Sequence, residues 1–376
     1  MNELVLLPPV FRPLLRLLLL WLIPVAAMAT GPAIPAAIPV VSTGAIEPAQ
    51  DIDSAGSATS GGVEQTPPAG GTAVAPDSVP DRENEPERIA QDEYTFAGAP
   101  RYTLTGDLPF RRTNIQPRTI TIFGGALVGL AAAITVYQLG WYPDSTQGPF
   151  NFQADWEYSK QIDKAGHIFG GWMGSYTSYE ALIASGLSKE DAAIWGTYCG
   201  IFWQTFIEVQ DGFHTIYGFD WTDEVANVVG AAYFYAQQRV PSLQNYNIKM
   251  SFGPNGRDSA RNAAQIRSRI LIDDYDAQDV WISAKIHNIL PASLKPYWPK
   301  WLCLAIGAGA KDVELQGYQA YRTFHLSLDY DLVELLPDLG SFGNWLKQGL
   351  NGFHLPAPAL QIYPEVRFEL LFPFRL

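Results

Sequence analysis

Cysteine is scarce: the 376 residues hold two, Cys199 and Cys303. Two thiols rule out a disulfide framework and a cysteine-rich zinc site and leave room for one bridge at most. Basic residues are also few. Twenty-five Lys and Arg face 38 Asp and Glu, the formal net charge is -13, and no basic run exceeds two residues. A nucleic-acid binder neutralises phosphates with clustered cations, so that class is excluded. Charged side chains make up 17% of the chain and hydrophobic ones 47%, which excludes a wholly disordered protein. The chain lacks a Gly-x-Ser-x-Gly elbow and a His-Glu-x-x-His helix. Gly307-Ala308-Gly309 lacks the strand-to-helix setting of a nucleotide loop.

The chain begins with the layout of a secretory signal peptide over residues 1–29. Arg12 and Arg16 precede an apolar run from Leu17 to Ala27, and Ala27-Met28-Ala29 places small residues at the -3 and -1 positions of a cleavage site. The rival reading is an uncleaved anchor helix, although the run is short for a bilayer core about 30 Å thick. Either way the chain is expected to leave the cytoplasm. With no cysteine near the cleavage site, the usual lipoprotein anchor is excluded. Residues 30–93 follow, rich in Ala, Pro, Gly, Ser and Thr, with eleven acids and two bases. Too few large apolar side chains are present there to offset the entropy of ordering, so the stretch reads as a disordered acidic tether.

Residues 94–240 predict a helical bundle. Thr119 to Tyr142 carries no charge and ends in an aromatic pair, so it is long enough to cross a bilayer. Three apolar stretches follow, at about Asp163 to Gly186, Ser188 to Gln210 and Trp221 to Gln238, the second opening on a Ser188 cap with acids in its first turn. Small residues recur four apart: Gly125 and Gly129, then Gly166, Gly170 and Gly174, then Gly196 and Gly200, then Ala226 and Gly230. A mid-helix glycine costs about 1 kcal/mol relative to alanine, and close helix packing is the compensation expected here. These four helices predict a four-helix membrane-associated bundle, although a buried soluble bundle could use the same small-residue seams.

From residue 241 to 376 the period changes to two. Asn247–Phe252, Thr323–Tyr330 and Glu365–Leu370 alternate, with weaker candidates near Val280 to Lys285 and Leu302 to Gly309 and an aromatic terminal strand at Phe372 to Leu376. The fold class expected is α+β, the bundle followed by antiparallel β-strands. A closed bacterial barrel needs at least eight strands, so an ordinary half-buried sheet is expected unless strands also form before residue 110.

If the helices run up and down with short connections, the start of the second, the end of the third and the start of the fourth share one end of the bundle. That end gathers Asp163, Lys164 and His167, then Glu208 and Asp211, then Asp220, Asp223 and Asn227. Asp163 and His167 are four apart, as are Asp223 and Asn227, so each pair projects from one helix face. Clustered acids need a positive partner. Lys164, protonated His167 or a divalent metal ion held by Asp163, His167, Glu208 and Asp223 supplies one, and Asp163, His167, Glu208, Asp211 and Asp223 together are also a candidate acid–base cluster. The plainer alternative makes Asp163, Asp220 and Asp223 helix caps or first-turn acids and Asn227 interhelical glue. His214 reads as a solvated loop residue, and His287, His325 and His354 have no spaced partners.

Asp163-Lys164-Ala165-Gly166-His167, Glu208-Val209-Gln210-Asp211-Gly212-Phe213 and Tyr217-Gly218-Phe219-Asp220-Trp221-Thr222-Asp223, with Asn227 and Gly230, resemble the pattern of the YfiM-like family of predicted periplasmic proteins, whose function is uncharacterised. Asp274 to Ser283 resembles the extension of its longer members, and the likeness covers roughly residues 140 to 310. The order Asp-Lys-x-x-His, Glu, Asp-x-x-x-Asn-x-x-Gly is also similar to VanZ-like membrane proteins, a group linked to glycopeptide-antibiotic tolerance. Neither resemblance implies a known reaction. The expectation is an exported cell-envelope protein of the periplasm or outer membrane with a binding or structural role, its partner a membrane lipid or envelope component. The rivals are an enzyme on a lipid-linked or phosphorylated envelope substrate and an outer-membrane barrel or transport component. Arg111, Arg112 and Arg118 before the first helix favour a cytoplasmic side, against the signal peptide, which takes precedence here.

Overall fold

The computed structural model describes residues 86–141, 148–215, 217–253, 274–313 and 319–374. The chain divides into two units, Met1–Glu85 and Pro86–Leu376. The first, with the predicted signal peptide and most of the predicted tether, lies outside the described residues. The second is α+β. Residues 86–93, assigned by composition to the tether, are folded: Ile89 is buried, and Arg111 pairs with Glu87 at 2.7 Å and Glu93 at 2.8 Å. Composition misses this because the partner, Arg111, lies outside the acidic stretch.

A short hairpin, β1 (Thr95–Phe96) and β2 (Ala99–Pro100), precedes helix α1 (Pro117–Trp141). Then come β3 (Phe152–Gln153), α2 (Ile162–Ala184), α3 (Lys189–Asp211), β4 (Phe219–Asp220) and α4 (Trp221–Arg239). Two of these helices start on side-chain caps: Asp191 N donates to Ser188 at 3.2 Å, and Thr222 N to Asp220 at 2.8 Å. α2 has no such cap and is entered through Ser159, Lys160 and Gln161, with φ of 48°, 56° and 67°.

α2, α3 and α4 pack on one another, whereas α1 has few contacts with α2. A Cβ at Gly230 would stand 1.9 Å from the Ile168 carbonyl oxygen, and one at Gly171 would stand 2.2 Å from that of Asn227. α2 and α4 therefore meet backbone to backbone. At Gly125 and Gly129 of α1 nothing among the described residues lies within 4 Å. Among the described residues the expected four-helix bundle is thus a three-helix bundle, because the small-residue spacing of α1 finds no partner helix. Among the described residues no helix is long and apolar enough to cross a membrane. Of the predicted span, residue 142 and several α1 side chains lie outside the described set.

The remaining strands are β5 (Tyr246–Phe252), β6 (Gln278–Ala284), β7 (Leu302–Lys311), β8 (Tyr321–Tyr330), β9 (Ala357–Tyr363) and β10 (Arg367–Phe372). Each pairs antiparallel with its sequence neighbour, giving one six-stranded meander in the order β5 to β10. Short helices α5 (Ile286–Ile289) and α6 (Leu332–Leu335), with α7 (Gly340–Leu350), lie in its connections. α2 packs on β5, β6 and β7, joining bundle to sheet.

The ordinary sheet expected from the alternation buries its apolar face; this one buries the other. Asp279, Ser283, Thr323, His325, Ser327 and Asp329 are buried, while Ile282, Ile306, Leu326 and Phe368 are exposed. The inner side is held by ion pairs and Trp281: Lys249 Nζ meets Asp329 Oδ2 at 2.6 Å, and Lys285 Nζ meets Asp331 Oδ2 at 2.5 Å. Trp281 stacks on His354 with ring centroids 4.0 Å apart and donates to Ser251 Oγ at 2.9 Å. β9 has no counterpart among the predicted strands, and the strand predicted from Phe372 to Leu376 is not formed over the described residues, because β10 ends at Phe372 and the chain turns at Pro373; residues 375 and 376 lie outside the described set. Both cysteines are free thiols.

Candidate functional site

The start of α2, the end of α3 and the start of α4 converge at one pole of the bundle. Lys164 is central to it. Its Nζ donates to Asp163 Oδ2 at 2.9 Å and Asp220 Oδ2 at 3.2 Å. It also forms an ion pair with Asp223 Oδ1 at 2.8 Å. Lys164 and the three acids are all buried.

His167 stands one helical turn above Asp163. Its Nδ1 is 2.9 Å from Asn227 Oδ1 and 3.5 Å from Glu208 Oε1. Asn227 Nδ2 donates to Glu224 Oε2 at 3.3 Å, which turns its oxygen toward the imidazole. An amide oxygen only accepts, so Nδ1 is the protonated nitrogen. Nε2 then faces two carboxylate oxygens, Asp163 Oδ1 at 3.6 Å and Asp223 Oδ1 at 3.8 Å. A lone pair opposite two carboxylates is repulsive unless Nε2 carries a second proton or a cation lies between them.

Burial sorts the carboxyls. It pushes Glu208, with the charges of Asp211 and Asp223 beside it, up to about 10, so this side chain is neutral at pH 7. Burial likewise lifts Asp223 to about 7 against the pull of His167 and Lys164. At Asp163 burial is outweighed by His167, Lys164 and the bond from Tyr275, and the carboxyl is held below its ordinary value. Asp220 is also held low, burial yielding to the bonds from Thr222 and Asp155 and to Lys164. Lys164 is raised because Asp163 and Asp223 outweigh its own burial.

Asp163, His167 and Asp223 could hold a metal ion, their donor atoms all lying within 4.8 Å of one another. Two donors on one tetrahedral ion with bonds near 2.1 Å are separated by about 3.4 Å, close to the 3.6 and 3.8 Å seen from Nε2. Nδ1–H to an amide oxygen is the support that a ligating imidazole requires. Against a metal stands Lys164, already a cation among these acids. Glu208, expected as a fourth ligand, instead lies on the Nδ1 side of the ring.

Of the residues singled out in the sequence, the fold brings together Asp163, Lys164, His167, Glu208, Asp220, Asp223 and Asn227. Asp211 contributes through its charge on Glu208. Asp220 is both the cap of α4 and a partner of Lys164. His214, expected in solvent, is 3% exposed. Two participants were missed. Tyr275 Oη donates to Asp163 Oδ1 at 2.6 Å across 112 residues. Glu224 also accepts from Thr205 Oγ1 at 2.7 Å, and its place three residues before Asn227 on one helix was the available signal. Compared with models of protein families, with curated proteins and with solved structures, the chain matches none.

Proposed function

We propose that the chain is an exported, membrane-associated cell-envelope protein of the periplasm or outer membrane, with a binding role in which the pole of the bundle takes up a divalent cation. The observation that carries this reading is His167: its Nδ1 is committed to Asn227, and its Nε2 points between Asp163 and Asp223. Asp163, His167 and Asp223 hold the ion, Glu224 orients Asn227, and Tyr275 orients Asp163. The signal-peptide layout and the resemblance to YfiM-like proteins support the envelope assignment, and the uncharged stretch of α1 supports the membrane.

Elemental analysis of the purified full chain, after exposure to Zn²⁺, Mn²⁺ and Mg²⁺ in turn, tests the cation. About one ion per chain is expected, lost in His167→Ala and Asp223→Ala. Wild type without bound ion and without a thermal shift on metal addition would leave Lys164 as the resident cation and the pole as a structural weld.

A second reading, acid–base catalysis on a lipid-linked or phosphorylated envelope substrate, is favoured by one feature. The His167 side chain is 19% exposed while Asp163, Glu208 and Asp223 lie behind it at 6, 3 and 9%. A histidine backed by carboxylates is a proton-transfer arrangement. Phosphate release from a lipid-linked phosphate by the wild type and not by His167→Ala would favour this reading over simple binding.

A further inference from the structure

Register aligns one large apolar residue from every strand across the outer face of the sheet: Ile248, Ile282, Ile306, Leu326, Leu360 and Phe368. Ile306 is 57% exposed and Ile282 51%. The adjacent row, on the helix side, reads Lys249, Trp281, Gly307, His325, Gln361 and Arg367. A sheet covered by helices and washed by water does the reverse, turning apolar residues to the helices and charges to water. Each half-exposed Ile or Leu forgoes roughly half of the 1.5–3 kcal/mol that full burial contributes, while the buried Lys249–Asp329 and Lys285–Asp331 pairs bear a desolvation cost. Both terms are unfavourable in water. Only the first changes when the medium outside is apolar, and it then disappears.

We propose that the outer face of the β5–β10 sheet is seated against the hydrocarbon of a lipid bilayer. Four observations select lipid as the occupant. Apolar-out and polar-in alternation is the signature of strands facing lipid. The two central strands, β7 and β8, have ten residues each, within the roughly 9–11 that a tilted membrane strand needs. The outward positions of β8 from Phe324 to Tyr330, and of β7 from Leu302 to Ala308, carry no charge, and the first outward charge on β8 is Arg322 near its start. Aromatic pairs stand at both margins, Trp301 with Tyr330 at one end of β8 and Phe324 with Tyr363 toward the other, where an interfacial girdle belongs.

A bare strand edge is costly in hydrocarbon. The edge at β5 is partly covered, since Met250 N donates to Gly352 O at 3.2 Å and Met250 O accepts from His354 N at 3.0 Å. The other edge, β10, ends in a turn in which Phe374 N donates to Leu371 O at 2.7 Å. Independently of the sheet, α1 is uncharged from Thr119 to Trp141, and its Gly125 and Gly129 meet nothing within 4 Å among the described residues.

The test uses the full chain with Cys199→Ala and Cys303→Ala, carrying an environment-sensitive fluorophore on Ile306→Cys, on Leu326→Cys or on Thr105→Cys, the last an exposed position away from the sheet. Each is reconstituted into phosphatidylethanolamine–phosphatidylglycerol vesicles with ordinary or brominated acyl chains, and retention of fold is checked by circular dichroism. Brominated chains should quench the labels at 306 and 326 and spare that at 105, while aqueous iodide should do the opposite. Iodide quenching of equal strength at all three positions overturns the proposal. So does shielding of 306 and 326 from both quenchers with a light-scattering mass of two chains, which assigns the face to a second copy. Measuring at two outward positions keeps the result readable if one substitution disturbs the strand.

Discussion

Lys164 sets one positive charge against Asp163, Asp220 and Asp223, so Lys164→Met leaves three buried carboxyl groups without it. Removing one partner of a buried pair costs about 3–5 kcal/mol. A fall of that size in unfolding free energy is expected in a denaturant titration, with added Mn²⁺ or Zn²⁺ restoring part of it if a divalent ion occupies the pole. Arg101 poses the same question without a metal. Its Nη2 meets Glu180 Oε1 at 2.9 Å with both side chains buried. Arg101→Met should destabilise by a similar amount, and the double change Arg101→Met with Glu180→Met by much less, as a double-mutant cycle would measure. His354 supplies the pH prediction. Burial, with Lys249 adding to it and Asp329 opposing it, pushes this imidazole down from 6.5 to about 4. Between those values the unfolded chain binds a proton that the folded chain refuses, so this residue withdraws stability as pH falls from 6.5 toward 4, by about 1.4 kcal/mol per unit. Glu208 and Asp223, whose carboxyls are raised, act in the opposite sense. The informative quantity is therefore the difference between the wild type and His354→Phe, which should grow through that window and be flat above it.

Between helices, Gly230 makes the tightest approach to a backbone atom among the described glycines, and Gly230→Val drives a side chain into the Ile168 carbonyl. Overpacking costs about 1–3 kcal/mol, and the unfolding midpoint should fall accordingly, while Gly125→Val on α1 leaves it unchanged. This contrast also marks how far local patterns are readable. Caps at Ser188 and Asp220, the four-residue spacing of Asp163 and His167, and the up-and-down connection were visible in the chain, and they suffice to place the pole. Small-residue spacing was visible too, but it states only that a helix can be approached closely, and α1 has the spacing without the neighbour. Alternation along β5 to β8 reveals a strand without revealing which side is covered, because the period is the same either way. β9 was missed because Pro358 and its alanines break the β-branched signal, and Tyr275 because its partner Asp163 is 112 residues away.

The bundle and the strand region, two regions by sequence, are one unit from Pro86 to Leu376. α2 joins them, packing on α3 and α4 on one side and on β5 to β7 on the other. Hydrogen exchange should show it: Gly230→Val, placed in α4, should accelerate the amides of β6 and β7 together with those of α2. One small feature of the same body has a mechanical meaning. β3 and β4 pair in parallel over two residues, Phe152 with Phe219 and Gln153 with Asp220, and Asp155 N donates to Asp220 Oδ2 at 2.9 Å, the oxygen that Lys164 also holds. The stretch from 148 to 157 is therefore a latch on the charged pole. A tug on the chain between α1 and α2 loads Gly148 and Asn151, held to Phe213 O and Gly212 O at 2.9 and 2.8 Å, before it reaches that shared oxygen, and slipping the latch as far as Asp155 hands the oxygen to Lys164.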